Sequence, residues 1–85
     1  MAIDGKYGRV TLERGTIGAN EPVVVFRSQD RILPQLLDIY RILCELAGSP
    51  SRHLFAIDDA AAAVKSWQAD HPTKTPSSDG YVAPK

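Results

Sequence analysis

The sequence predicts an α+β fold in which a two-stranded antiparallel β-hairpin precedes an antiparallel pair of helices. Two short β-type segments come first, two long helical patterns follow, and a short Gly-Ser-Pro link joins the helices. The 85 residues leave room for one small domain. We predict that this ββαα domain spans residues 7–71, after a flexible N-terminus at 1–6.

Two segments have the character of strands. Residues 9–13 alternate polar and apolar side chains, which is the period of a half-buried strand. Residues 23–27 begin with a continuous apolar run, which indicates a strand covered on both faces. The connection contains Gly15 and Gly18 and is longer than a two-residue turn. An antiparallel pair with a wide loop is the simplest interpretation, and it needs helices or another copy to be stable.

The first helix is predicted from about Asp30 to Ala47, and Gly48 is a suitable residue to follow its C-cap. Its start is open, because the N-cap is either Asp30 or a residue nearer Leu33 that places Pro34 in the first turn. On a helical wheel the apolar arc covers roughly 220°, about twice that of an ordinary surface helix. One hairpin and one helix are too little to cover this arc, so we predict a homodimer or higher homo-oligomer. The predicted interface residues are Ile32, Ile39, Ile42 and Leu46.

The second helix is predicted with Ser49 as N-cap, Pro50 as its first residue and an end near Asp70. Its apolar residues recur at spacings of three and four. From Pro72 the chain is rich in Pro, Ser and Thr, and it cannot bury enough surface to become ordered. We therefore predict a flexible, disordered tail at 72–85, which is either a plain solvated end or a short docking segment.

Residues with catalytic or metal-binding chemistry do not form a set. Cys44, the single cysteine, lies in the apolar stripe of the first helix, which favours a buried side chain over a nucleophile. His53 and His71 lie at opposite ends of the second helix, too far apart to share a metal ion. Asp58 and Asp59 diverge by about 100° on a helix and do not face each other. The sequence therefore predicts a non-enzymatic protein with no catalytic residue, metal or cofactor.

Arginines concentrate around the predicted hairpin, where acidic residues are interspersed among them. A salt-bridged sheet edge is one interpretation, and a site for an anionic ligand, either a nucleotide or a nucleic acid, is the alternative. The residues of that ligand site are Arg9, Arg14, Arg27 and Arg31.

The overall charge weighs against a dedicated nucleic-acid-binding protein. Ten basic and ten acidic residues give a formal net charge of zero. The second helix is also poor in the side chains that read DNA bases. The N-terminus has no apolar run like a signal peptide, and no segment approaches the length of a membrane span. These features predict a cytoplasmic protein without a membrane partner.

A resemblance to a known group rests on five segments: Lys6–Thr11, Glu21–Asp30, Cys44–Pro50, Trp67–Ala69 and Pro72–Lys74. In these segments, which span most of residues 6–76, the chain resembles small accessory proteins encoded by actinobacteria and their phages. The resemblance implies an accessory protein that acts on a host or phage component, and it carries over no functional residue. Together with the wide apolar arc, it predicts a small protein-interaction or regulatory protein that works as a homo-oligomer.

Overall fold

The computed structural model describes residues 2–77, which fall into two compact units. Residues 2–26 and Ser77 belong to the first, here called the N-terminal unit. Arg27–Pro76 form the second, here called the helical unit. The part of the predicted tail at 78–85 lies outside the described residues.

The N-terminal unit contains a small three-stranded sheet. Its strands are β1 (Ala2–Asp4), β2 (Gly8–Val10) and β3 (Pro22–Val23). The order across the sheet is β2-β1-β3, with β1 antiparallel to β2 and parallel to β3. The central strand is therefore formed by residues at the very start of the chain.

The carboxylate of Asp4 organises this sheet. One of its oxygens accepts the backbone N–H groups of Lys6 and Tyr7, at 2.8 and 2.7 Å, and so closes the turn between β1 and β2. The other oxygen accepts the N–H of Val25 at 2.8 Å, beyond the end of β3. Asp4 is only 4 % exposed and is the buried acidic residue of the described chain. It therefore links both neighbours of β1 through one side chain.

The predicted pairing of residues 9–13 with 23–27 is not confirmed. β2 and β3 begin near those segments but are shorter, and β1 lies between them. The physical reason is local: a short turn closed by Asp4 pairs β1 with β2 before the longer loop returns the chain to the opposite edge of β1.

The first helix of the helical unit, α1, spans Leu33–Leu46. Pro34 lies in its first turn, where a missing N–H costs no hydrogen bond, so the later of the two predicted starts is the observed one. Asp30 instead accepts the N–H of Ile32 at 2.8 Å, one turn ahead of the helix. At the other end Gly48 has φ of 85°, and the N–H of Ser49 donates to the carbonyl of Cys44 at 2.9 Å. This left-handed glycine ends α1 as predicted.

The second helix, α2, spans Ser51–Asp70. Its N-cap position is held by Pro50, without a side-chain cap, so the predicted capping by Ser49 is wrong by one residue. The reason is that Ser49 donates its backbone N–H to the end of α1 and therefore still belongs to the preceding turn. The predicted end at Asp70 is confirmed.

The two helices pack as an antiparallel pair. Asp38 pairs with Lys65, and Arg41, which is later on α1, pairs with Asp58, which is earlier on α2. The two helices therefore run in opposite directions. The buried apolar residues of the helical unit are Leu33, Cys44, Ile57, Ala61 and Val64. Two of these five side chains are small, so the described core of the helical unit is narrow.

The ends of the helical unit are fastened together. Lys74 donates its N–H to the carbonyl of Gln29 at 2.8 Å and accepts the N–H of Arg31 at 3.0 Å. The amide of Gln68 on α2 donates to the carbonyls of Ser28 and Asp30, at 2.9 and 2.8 Å. Four hydrogen bonds thus connect the segment before α1 to the end of α2 and to the segment that follows α2.

Candidate functional site

The four predicted interface residues all lie on the surface of the helical unit. Ile32, Ile39, Ile42 and Leu46 are each exposed, and Leu46 reaches 80 %. Leu43 is exposed beside them. We call these five residues the α1 seam.

The α1 seam lies on the side of α1 that faces away from α2. The buried residues Leu33 and Cys44 differ by about 20° around the helix axis, whereas Ile39 lies roughly 240° from Leu33 and Leu46 roughly 220°. α1 therefore has two apolar faces, one buried against α2 and one open. The wide apolar arc predicted from the sequence consists of these two faces, and α2 covers only one of them.

The spacing of the α1 seam is that of a helix-packing surface. Ile32, Ile39 and Leu46 follow one another at intervals of seven, and Ile42 stands three residues after Ile39. Apolar residues at a seven-residue interval with an intermediate position form the seam by which two helices pack side by side. Gln35 occupies the equivalent intermediate position one heptad earlier and is the polar interruption of the pattern. The arrangement is suited to another helix rather than to a small ligand.

Ion pairs border the α1 seam on its polar side. Arg41 donates to Asp58 at 2.6 Å and to Glu45 at 3.2 Å, and Lys65 lies 3.8 Å from Asp38. The hydrogen bond to Asp58 raises the pKa of Arg41 further above its usual value, so this guanidinium stays charged. The charged side chains of α1 in these ion pairs are thus paired within the chain, and the five residues of the seam carry no charge.

The four arginines of the alternative ligand site are divided between the two units. Arg9 lies in β2 and Arg14 in the loop that follows, whereas Arg27 and Arg31 precede α1. Neither unit by itself brings the four together. The hypothesis of an anionic ligand at these residues stays a prediction.

The cysteine and histidines have structural surroundings. Cys44 is buried, and its hydrogen bond with Tyr40 raises the pKa of that phenol. The imidazole of His71 stacks on the indole of Trp67 at a centroid distance of 4.0 Å. Nδ1 of His71 lies 2.7 Å from the backbone carbonyl oxygen of Trp67. The expected place of His71 at the C-terminal end of α2 is therefore observed. Within residues 2–77 no group of three His, Cys, Asp or Glu side chains is arranged to hold a metal ion.

Two surface features were missed by the sequence analysis. Val24 and Phe26 are exposed, although the continuous apolar run suggested a strand covered on both faces. Phe55 on α2 is also exposed. No local signal marks the first as exposed, because Pro22 is the first residue of its strand, where proline is tolerated whether or not the strand lies at an edge.

Comparison with protein-family models, with curated proteins and with solved structures gave no match. The resemblance to small actinobacterial and phage proteins therefore stays a prediction. Neither described helix combines the length and the apolar content needed to cross a bilayer.

Proposed function

We propose that this chain is a small, non-enzymatic protein-interaction module that works as a homo-oligomer, with the α1 seam as its subunit contact. The observation that carries the proposal is the open row of branched apolar side chains at heptad spacing on α1. Large exposed apolar surfaces of this kind are typical of interaction sites in soluble proteins.

The narrow core of the helical unit supports the proposal. Five residues are buried there within the described chain, and none of its side chains is less than 2 % exposed. A helix pair of this size gains little from its own core and is stabilised when a further surface is covered. Covering the α1 seam would remove further branched apolar surface from water, which is favourable.

A second copy of the chain is the occupant that fits best. Two α1 helices placed antiparallel about a two-fold axis near Ile39 and Ile42 set isoleucine against isoleucine, and a two-fold contact requires such self-complementarity. The formal net charge of zero means that two copies do not repel each other. An accessory protein of this type would present the rest of its surface to a host or phage component.

The test compares two substitutions of matched exposure. Ile42 is 58 % exposed in the α1 seam, and Phe55 is 63 % exposed on α2. We expect Ile42→Asp to lower the sedimentation mass to that of a smaller species, because a carboxylate would have to be buried unpaired in the contact. Phe55→Asp, which makes the same type of change outside the seam, should leave the mass unchanged.

A double variant strengthens the comparison. Ile39→Asp with Ile42→Asp should give a soluble monomer, or an unfolded chain if the contact is needed for stability. Helical circular dichroism distinguishes these two results. A double variant that keeps the mass and the melting temperature of the wild type would contradict the proposal.

A further inference from the structure

A single polar side chain, that of Gln35, interrupts the α1 seam. On a helical wheel Gln35 lies about 20° from Ile42 on one side and about 20° from Leu46 on the other, so it faces the same way as the middle of the seam. Gln35 is exposed, and within residues 2–77 its side-chain amide has no hydrogen-bond partner. No contact of the described chain therefore requires an amide at this position.

The heptad spacing of the α1 seam allows two copies of α1 to pair antiparallel in two ways. In the first, here called the central register, Ile39 of each copy faces Ile42 of the other. In the second, here called the shifted register, one helix is displaced by about seven residues, and Ile32 of each copy faces Ile42 of the other. Both keep the side-by-side packing of a heptad seam, because a displacement of one heptad restores the pattern.

The apolar side chains of the α1 seam do not decide between these registers. Each register sets isoleucine against isoleucine in two layers. In two further layers, each register sets Gln35 against a branched apolar side chain of the other copy. The isoleucine contacts are therefore similar in both, and the registers differ in where the layers that contain Gln35 lie along the helix pair.

Gln35 has different surroundings in the two registers. In the central register it faces Leu46 of the other copy, which is the last residue of α1 and is 80 % exposed, so its amide stays in contact with water at the end of the helix pair. In the shifted register it faces Ile39 of the other copy, and both amides leave water in the middle of the contact. Burying an amide between isoleucines is costly, so Gln35 penalises the shifted register.

We infer that Gln35 selects the register of the subunit contact, because it excludes the antiparallel pairing that is shifted by one heptad. The inference rests on the proposed function, since it requires two copies to meet at the α1 seam. A polar residue at one position of an apolar seam fixes the register of a helix pair at a cost in affinity. Gln35 is thus a specificity-determining residue that weakens the contact that it orders.

Distances between spin labels on the two copies report the register. Arg31 and Glu45 are both exposed and are two heptads apart, so Arg31→Cys and Glu45→Cys place labels on the same side of the seam. At 1.5 Å per residue, labels at 45 are about 14 Å apart along the helix axis in the central register and about 24 Å apart in the shifted one. Labels at 31 are about 29 and 18 Å apart, respectively. The wild type, whose only cysteine is the buried Cys44, gives the background of labelling.

We expect one distance at each labelled site, with a shorter separation at 45 than at 31. Adding Gln35→Leu should give two distances at each site, because both registers then bury only apolar side chains. Gln35→Leu should also lower the dissociation constant of the dimer roughly tenfold or more, since the contact covers a new leucine from each copy. Ser66→Leu is the matched control: it adds the same side chain on the exposed side of α2, roughly 180° from the buried Ile57, and should change neither result.

Two results would overturn the inference and leave the subunit contact in place. A dimer whose Gln35→Leu variant keeps a single distance at each site would show that the amide does not select the register. Equal separations at 31 and 45 in the labelled wild-type seam would indicate a parallel pair, in which Gln35 of each copy faces Gln35 of the other. A wild type that sediments as a single chain would instead contradict the proposed function, and the inference with it.

Discussion

At the scale of single residues, Asp4 has the largest influence on the N-terminal unit. The N–H of Tyr7 is the main cause that holds the pKa of its carboxyl below the ordinary value, helped by those of Val25 and Lys6 and opposed by burial. A carboxyl whose pKa is lowered in the folded state stabilises that state above its unfolded pKa of about 3.9. This contribution is lost as the pH falls through the lower, folded value.

We therefore predict that the N-terminal unit opens in acid through Asp4. The amide resonances of Val25 and Tyr7 should move together as the pH is lowered below about 4, because both N–H groups lose a charged acceptor. Asp4→Asn should produce a similar displacement at neutral pH and lower the melting temperature, since an amide offers one acceptor oxygen and places a donor against an N–H. Glu13→Gln, an exposed acid in the same unit, is the control. Unchanged Val25 and Tyr7 resonances in Asp4→Asn would show that the carboxylate does not organise the sheet.

The exposure of Ile39 and Ile42 was predictable, and that of Val24 was not. The helical wheel shows an apolar arc too wide for α2 to cover, and both isoleucines in that arc are exposed. Val24 was not predictable, because an uninterrupted apolar run is the same for a strand covered on both faces and for an edge strand. Deciding between them requires knowledge of which strand is the neighbour.

At the scale of elements, Gln68 joins α2 to the segment that leads into α1. Its amide donates to the carbonyls of Ser28 and Asp30 and is half-buried. Gln68→Ala leaves both carbonyls without this donor, so we predict that the free energy of unfolding falls by about 1–2 kcal/mol.

Chemical denaturation measures the effect of Gln68, and Gln35→Ala on the exposed side of α1 is the control. Gln68→Glu should be at least as harmful as Gln68→Ala, because a carboxylate would face two carbonyl oxygens without a proton to donate. Equal stabilities for the variants at 68 and at 35 would contradict a role for the amide in closing the helical unit.

The helices were predictable from local signals, and the sheet was not. Pro34 near the start of α1, Gly48 after its end and Pro72 beyond α2 fix the helix bounds through short-range sterics. β1 has three residues and no alternating pattern, so no local signal marks it as the central strand. Its place depends on the hydrogen bond from Val25 to Asp4, a contact across 21 positions that periodicity cannot reveal.

At the scale of the whole molecule, the proposed contact through the α1 seam would decide whether the chain exists alone or paired with a second copy. A two-fold contact between two seams closes on itself and gives a dimer. We therefore predict that Ile42→Asp sediments with a smaller mass than the wild type at the same protein concentration, whereas Phe55→Asp does not.

The most direct test of the central claim, that the α1 seam is covered by another copy, is the native mass of the untagged protein by gentle-ionisation mass spectrometry. The chain has a mass of 9.3 kDa. If the α1 seam is the subunit contact, the wild type should have an even multiple of this mass, and Ile42→Asp should have a smaller mass than the wild type. A wild-type protein that has the mass of one chain, with its exposed isoleucines uncovered, would contradict it.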